Sequence, residues 1–321
     1  MAKRICKRLG CILLIVFAVM ILLSTICYIN HRIQLKKEEP IYNIIGQQVE
    51  INGHKMNVYC EGTGDTTLVF MSGGGTSSPV LDFKSLYSLL SDQYKIAIVE
   101  KAGYGFSEDF DGARDIDTIL SETRQALSQA GISAPYVLCP HSMSGIEALY
   151  WAQQYPQEIT AIIGLDMAVP TAYEDMNVNV PLLRLASFAA NIGLTRWVPD
   201  ISESDAIKYG TLTEEEKDLY RAVFYRRTAT NAMVNEAAEI KTSADIVEKG
   251  DVVSASVLMF ASNGSGGTGY DEPTWRSFQQ DYIANIPNGK LIELDCPHYV
   301  HNYEYVSIAK EISAFLDSIL I

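Results

Sequence analysis

Ser142 lies in the run Tyr136-Val-Leu-Cys-Pro-His-Ser-Met-Ser-Gly145, an apolar strand pattern that turns sharply and passes into the helical pattern Ile146 to Tyr155. A serine at such a turn can be a nucleophile. The turn lifts its hydroxyl clear of the backbone at a helix N-terminus, where amides can stabilise an oxyanion. The run fits G-x-S-x-G at the serine, but Pro140 and Ser144 hold the two glycine positions. Those positions need small residues because strand and helix pack closely there. Ser144 meets that need, whereas Pro140 fixes φ at about −65° and removes a donor. A serine before an apolar helix also makes an N-cap, so this segment alone supports nucleophile and cap equally.

The chain around it has 321 residues, 48% of them apolar, enough for one substantial core with an inserted subdomain. Its net charge of −14 is unevenly divided: residues 1–37 carry seven Lys or Arg and no acid, leaving −21 on the rest. Such a body repels nucleic acid and anionic lipid alike, which excludes a nucleic-acid partner. Leu9 to Ile29 is a run of 21 uncharged residues, about 30 Å of helix and enough to cross a bilayer. Lys3, Arg4, Lys7 and Arg8 precede it. Residues 1–8 are therefore expected in the cytoplasm, 9–29 as a transmembrane signal anchor and the body outside the cell membrane. The run is longer than a signal peptide's apolar region and no small-residue cleavage site follows, so the anchor is expected to persist. Residues 30–47, including polar Lys36-Lys-Glu-Glu-Pro40, read as a linker. Cys60, Cys139 and Cys296 are scattered and odd in number, which favours small buried hydrophobes over disulfides.

In the body, Gln48–Ile51 and His54–Cys60 flank Asn52-Gly53, the strongest short hairpin signal. Strands are predicted at 67–71, 95–99, 137–139, 160–165, 256–261 and 290–294, and helices at 81–90, 116–130 and 306–319. Strands alternating with helices imply an α/β fold with a doubly wound, mostly parallel sheet, its edge made mixed by the hairpin. Between about 171 and 250 the pattern is helical only, as at 182–192 and 214–228, and reads as a cap over the C-terminal strand ends, where such sheets bind ligands.

With these elements in order, residues 48–321 resemble the α/β-hydrolase fold superfamily, which includes proline iminopeptidases, haloalkane dehalogenases and many esterases. Four segments carry the resemblance. Met71-Ser-Gly-Gly-Gly-Thr76 follows the third strand, with Ser72 where the family usually has histidine. By position Gly74 would donate its amide to an oxyanion, with Met143 as second donor. Glu100-Lys-Ala-Gly-Tyr-Gly-Phe-Ser107 resembles the family's D-x-x-G-x-G-x-S segment and is expected to be architectural. The third segment is the turn at Ser142. The fourth is Asp295-Cys-Pro-His-Tyr-Val-His-Asn302, in which His298 matches the catalytic histidine and His301 a second histidine that packs locally. A metal reading of His298 and His301 lacks further ligands at a supporting spacing. The resemblance leaves two carboxylates for the acid. Asp166 ends the sixth strand, where some members carry it, and Asp271 lies late on the glycine-rich loop after the seventh, where most do.

With the anchor read from residues 1–29, the resemblance implies a membrane-anchored, extracytoplasmic serine hydrolase with Ser142 as nucleophile, His298 as base and Asp166 (or Asp271) as acid, acting without metal or organic cofactor. Its substrate would be a small acyl compound, a carboxylic ester by default. An iminopeptidase-like aminopeptidase is the nearest alternative and would need a cap carboxylate such as Glu174, Asp175 or Glu203 to hold an amine. Dehalogenase and epoxide-hydrolase chemistry is disfavoured, because those relatives have Asp where this chain has Ser142. A catalytically idle hydrolase fold used for binding or sensing is the alternative from another class, fed by Pro140, Ser144, Ser72 and the missing late carboxylate. Oligomeric state is not specified by the sequence.

Overall fold

The computed structural model describes residues 2–320. One sheet of eight strands forms its centre: β1 (Gln47–Ile51), β2 (His54–Glu61), β3 (Thr67–Met71), β4 (Lys95–Glu100), β5 (Tyr136–Pro140), β6 (Ile159–Leu165), β7 (Ser256–Ala261) and β8 (Gly289–Glu293). Their spatial order is β1-β2-β4-β3-β5-β6-β7-β8. β2 pairs antiparallel with β1 and β4, and every other pairing is parallel. Asn52 (φ 52°) and Gly53 (φ 81°) both take the left-handed conformation that a two-residue hairpin turn demands.

Helix α1 spans Ala2–Glu38, and α2 (Pro79–Asp82) and α3 (Lys84–Tyr87) follow β3. α4 (Ile116–Gln129) and α5 (Ser144–Gln154) flank β5. α6 (Val180–Asn191), α7 (Asp205–Lys208), α8 (Glu214–Arg227) and α9 (Asn231–Glu248) lie between β6 and β7 and form the expected helical insertion. α10 (Glu272–Ile283) joins β7 to β8, and α11 (Val300–Tyr303) and α12 (Tyr305–Ile319) close the chain.

Side-chain alternation along the strands builds a core on each face. Val69, Ala97, Leu138 and Ile162 meet α4 and α5 through Leu120, Leu127, Ile146 and Trp151. Phe70, Ile98, Cys139 and Ile163 meet α3 and α12 through Leu86, Ile308, Ile312 and Leu316. Burial on both faces explains why β3 to β7 read as continuous apolar runs. Leu81 and Phe106 pack on Ile207, Leu219 and Val223, which fastens α7 and α8 to the body.

Several elements differ from expectation. The first part of the supposed 30–47 linker is helical, because α1 continues to Glu38 and Arg196 and Arg226 of the insertion grip its last turns. The helix expected over 81–90 is broken into two short ones at Phe83. α10 was missed because a glycine-rich loop leads into it. Its start signals are nonetheless present, with Asp271 as N-cap and Pro273 in the first turn. Cys139 and Cys296 are buried as expected, whereas Cys60 is exposed on β2.

Glu100 is fully buried and holds the segment after β4. Its carboxyl accepts from the amides of Phe106 (2.6 Å) and Val80 (3.3 Å) and from Asn57 Nδ2 (3.0 Å). Burial pushes it up to about 7 despite these donors. An acid whose folded pKa is raised binds a proton more tightly when folded, so its contribution is fully present below its ordinary value of 4.5 and is lost as pH rises to about 7. Comparing thermal unfolding of wild type and Glu100→Gln should therefore show the wild type losing stability relative to the variant across that window. A constant difference would refute the assignment.

Candidate active site

The sheet reverses its winding between β3 and β5, whose C-terminal ends lie side by side with Met71 paired to Pro140. Crevices at such a reversal are where α/β sheets bind ligands. The loops after both strands meet there. A Cβ added to Gly73 would lie 2.7 Å from Ser142 Cβ and 3.0 Å from His141 Nδ1, so only glycine lets this loop approach the serine.

Ser142 has φ 55°, a left-handed conformation that is strained for a residue with a side chain. Backbone bonds hold it there: its carbonyl accepts from Ala168 N at 2.8 Å and Gly145 N at 3.0 Å. The departures from the glycine pattern have physical explanations. Pro140 is the last residue of β5, where a missing donor costs little, and the next amide, His141 N, reaches Met71 O at 2.9 Å. Ser144 does more than fit. Its Oγ accepts from His141 N at 3.0 Å and lies 2.7 Å from Met71 O and 2.8 Å from His141 O, which ties the turn to β3. The close packing expected of the second glycine passes to Gly145, where a Cβ would lie 2.2 Å from Ala168 O.

His298 is buried and reaches the serine from the loop after β8, with Nε2 2.8 Å from Ser142 Oγ. Its Nδ1 lies 2.5 Å from Asp166 Oδ2. Because the carboxylate can only accept, it fixes the proton on Nδ1 and leaves Nε2 free to accept from the serine hydroxyl. Asp166 follows β6 with φ 51° and no solvent exposure. Its Oδ1 accepts from Ser262 N (2.7 Å) and Trp275 Nε1 (2.8 Å). Asp271, the other candidate acid, is not at the site. It is exposed and caps α10 by accepting from Thr274 N at 3.0 Å. The glycine-rich loop before it serves His298 by close backbone approach instead: a Cβ on Gly267 would lie 2.7 Å from His298 Cδ2.

The other histidines near the site are accounted for. His301 Nε2 pairs with buried Asp82 Oδ2 at 2.8 Å. Burial first, then neighbouring His298 and His301, holds His141 well below its ordinary pKa. Among the described residues no three His, Cys, Asp or Glu side chains converge as a metal set.

A hollow of about 200 Å³ opens beside Ser142, lined by Gly74 and Met143 and by apolar Tyr173, Val178, Ile240 and Trp275. Among the described residues, neither the Gly74 nor the Met143 amide donates to a protein acceptor. Behind the glycine loop lies a buried network that the sequence reading missed. Lys101 Nζ donates to Glu147 at 2.6 Å and also to Glu236 of α9. Tyr104 OH donates to Glu236 at 2.8 Å and accepts from Gly75 N at 3.3 Å. Burial pulls the Lys101 ammonium down, but its two carboxylate neighbours carry it above its ordinary value. Burial raises Glu147 to about 7. Tyr104 and Lys101 do lie in the recognised Glu100–Ser107 segment, but Glu236 comes from the insertion, far along the chain.

The sheet order, the turn at Ser142 and the helical insertion define an α/β-hydrolase fold. The chain shares a family with the uncharacterized protein YbdG of Bacillus subtilis, 43% identical over 238 residues that cover 72% of this chain and 73% of that one. A haloalkane dehalogenase from Bradyrhizobium elkani superposes over 85% of this chain and 97% of its own, with TM-score 0.65 and 17% identity. A thermophilic esterase from Thermogutta terrifontis superposes over 85% and 99%, with TM-score 0.63 and 16% identity. No family model matches the sequence.

The hydroxyl of Ser144 donates to buried backbone carbonyls, so Ser144→Ala should cost about 0.5–1.5 kcal/mol. Thermal unfolding of the variant measures this, and an unchanged midpoint would show that Ser144 only fills space.

Proposed function

We propose that the protein is a membrane-anchored, extracytoplasmic serine hydrolase that cleaves carboxylic esters. The observation that carries this is the contact chain Asp166 Oδ2, His298 Nδ1, His298 Nε2, Ser142 Oγ, with separations of 2.5 and 2.8 Å. In this reading His298 takes the Ser142 proton as Oγ attacks the ester carbonyl. Asp166 orients the imidazole and stabilises its charged form, and the Gly74 and Met143 amides receive the oxyanion. His298 then protonates the departing alcohol. Water, deprotonated in turn by His298, releases the acid and restores Ser142.

The apolar lining of the hollow supports an acyl group as the bound part of the substrate. An aminopeptidase needs a carboxylate for the substrate amine, and the candidates are poorly disposed for that. Glu174 and Asp175 are exposed, and Glu203 is paired with Arg221 at 2.7 Å. The serine also separates this chemistry from that of dehalogenases, which attack with a carboxylate. Anchoring is supported by α1, whose side chains from Leu9 to Ile29 are almost all exposed, and by the basic residues before it.

Ser142→Ala should abolish labelling by a fluorophosphonate while the protein remains folded; persistent labelling would overturn the nucleophile. The two acids should separate cleanly in p-nitrophenyl ester hydrolysis. Asp166→Asn is expected to lower kcat by roughly three to four orders of magnitude. Asp271→Ala should cost only about 1 kcal/mol of stability as a lost cap. Equal losses of activity in the two variants would refute the assignment of Asp166.

A further inference from the structure

α6 presents Leu182, Leu185 and Phe188, spaced three apart, to solvent along one face. The turn that follows adds Leu194, Trp197 and Val198, with Trp197 60% exposed. A contiguous apolar patch of this kind marks an interaction site.

Its position relative to α1 identifies what covers it. Gly193, at the end of α6, packs so closely on α1 that a Cβ would lie 2.3 Å from His31 Cβ. Arg196 Nε donates to His31 Nδ1 at 2.8 Å and Nη1 to Glu38 at 2.7 Å. Arg226 donates to the same Glu38 at 2.7 Å and to Leu35 O at 2.7 Å. These bonds clamp the insertion to α1 just beyond the uncharged run that ends at Ile29. Phe188 then shares a hollow with Ile21, Ser24 and Tyr28 of that run. The patch is therefore held level with the last turns of the segment long enough to cross a bilayer.

We propose that α6 and the turn after it form a membrane-docking surface, with Leu182, Leu185, Phe188 and Trp197 set into the outer interface of the bilayer that α1 spans. This rests on the anchored reading of α1. A helix lying in the interface buries its apolar face by about 5–10 Å, and tryptophan favours that depth. The body's charge of −21 repels anionic headgroups, so docking is driven by apolar contact and not by charge. The consequence for chemistry is a substrate class. Met176 and Val178 line the hollow beside Ser142, and α6 begins two residues later at Val180. The docking face thus begins two residues from the apolar lining of that hollow, and the substrate class that follows is an ester of a membrane-resident acyl lipid.

Reconstitution of the full chain in phosphatidylcholine bilayers, with and without brominated acyl chains, tests the docking. Trp151 and Trp275 are buried, so Trp197 is the indole available for contact quenching. Brominated chains should quench a component that Trp197→Phe lacks, and aqueous iodide should not. Quenching of Trp197 by iodide alone would overturn the proposal, as would shielding from both quenchers, which would assign the patch to a second copy. Carbonate extraction of the chain from membranes would overturn the anchored reading and this proposal together. A carbonate-resistant chain with unquenched Trp197 would overturn this proposal alone. In a second arm, Leu185→Glu with Phe188→Glu should lower hydrolysis of a long-chain ester embedded in vesicles roughly tenfold or more and leave a short soluble ester unaffected. Equal rates on the embedded ester would refute the substrate class.

Discussion

A buried carboxylate constrains the rest of the site. Asp166 has no solvent exposure, and a charge in that position persists only if hydrogen-bond donors surround it. They come from distant parts of the chain: Ser262 after β7, Trp275 on α10 and His298 after β8. Satisfying one carboxylate thus fixes the ends of three strands and one helix relative to each other. Turning the imidazole would strip Asp166 of a partner, so the carboxylate holds the ring in one orientation. The left-handed backbones of Asp166 and Ser142 are sustained by that packing and not by local preference.

The same logic joins the insertion to the glycine loop. Lys101 lies between Glu147 of α5 and Glu236 of α9, and Tyr104 passes the contact on to Gly75. Buried ions of this kind add little net stability, because desolvation offsets much of their attraction. What they impose is geometry. Removing Lys101 would leave Glu147 and Glu236 facing each other unpaired, so the insertion, α5 and the glycine loop keep one arrangement.

Much of this was legible in the sequence, and the part that was not has definite causes. Ser142 could be singled out from its strand–turn–helix pattern, and His298 and Asp166 through the resemblance, each at a matching position after a strand. Asp271 competed with Asp166 because sequence distance along a flexible loop does not reveal direction. The structure spends that loop's glycines on approach to His298 and leaves the aspartate to cap α10. Ser144 was readable as a small residue but not as a hydrogen-bonding one, since its partners at Met71 and His141 meet it only in the folded turn. Glu236 had no local signal at all: one glutamate in an amphipathic helix reads as surface until its buried partners are known.

The end of α1 shows the same limit from the other side. A run of 21 uncharged residues is visible at sight, but where the helix stops depends on what grips it. Lys36-Lys-Glu-Glu-Pro40 has the composition of a flexible linker, and a free linker would let the body tumble above an anchor. Glu38 instead receives Arg196 and Arg226, which keeps the backbone helical through the polar turns. Each pair alone, partly exposed, is worth little. Acting with the packing of Gly193 on His31, they convert a tether into a rigid strut. A strut specifies orientation as a tether cannot, and this rigidity fixes the apolar face of α6 and the site relative to α1.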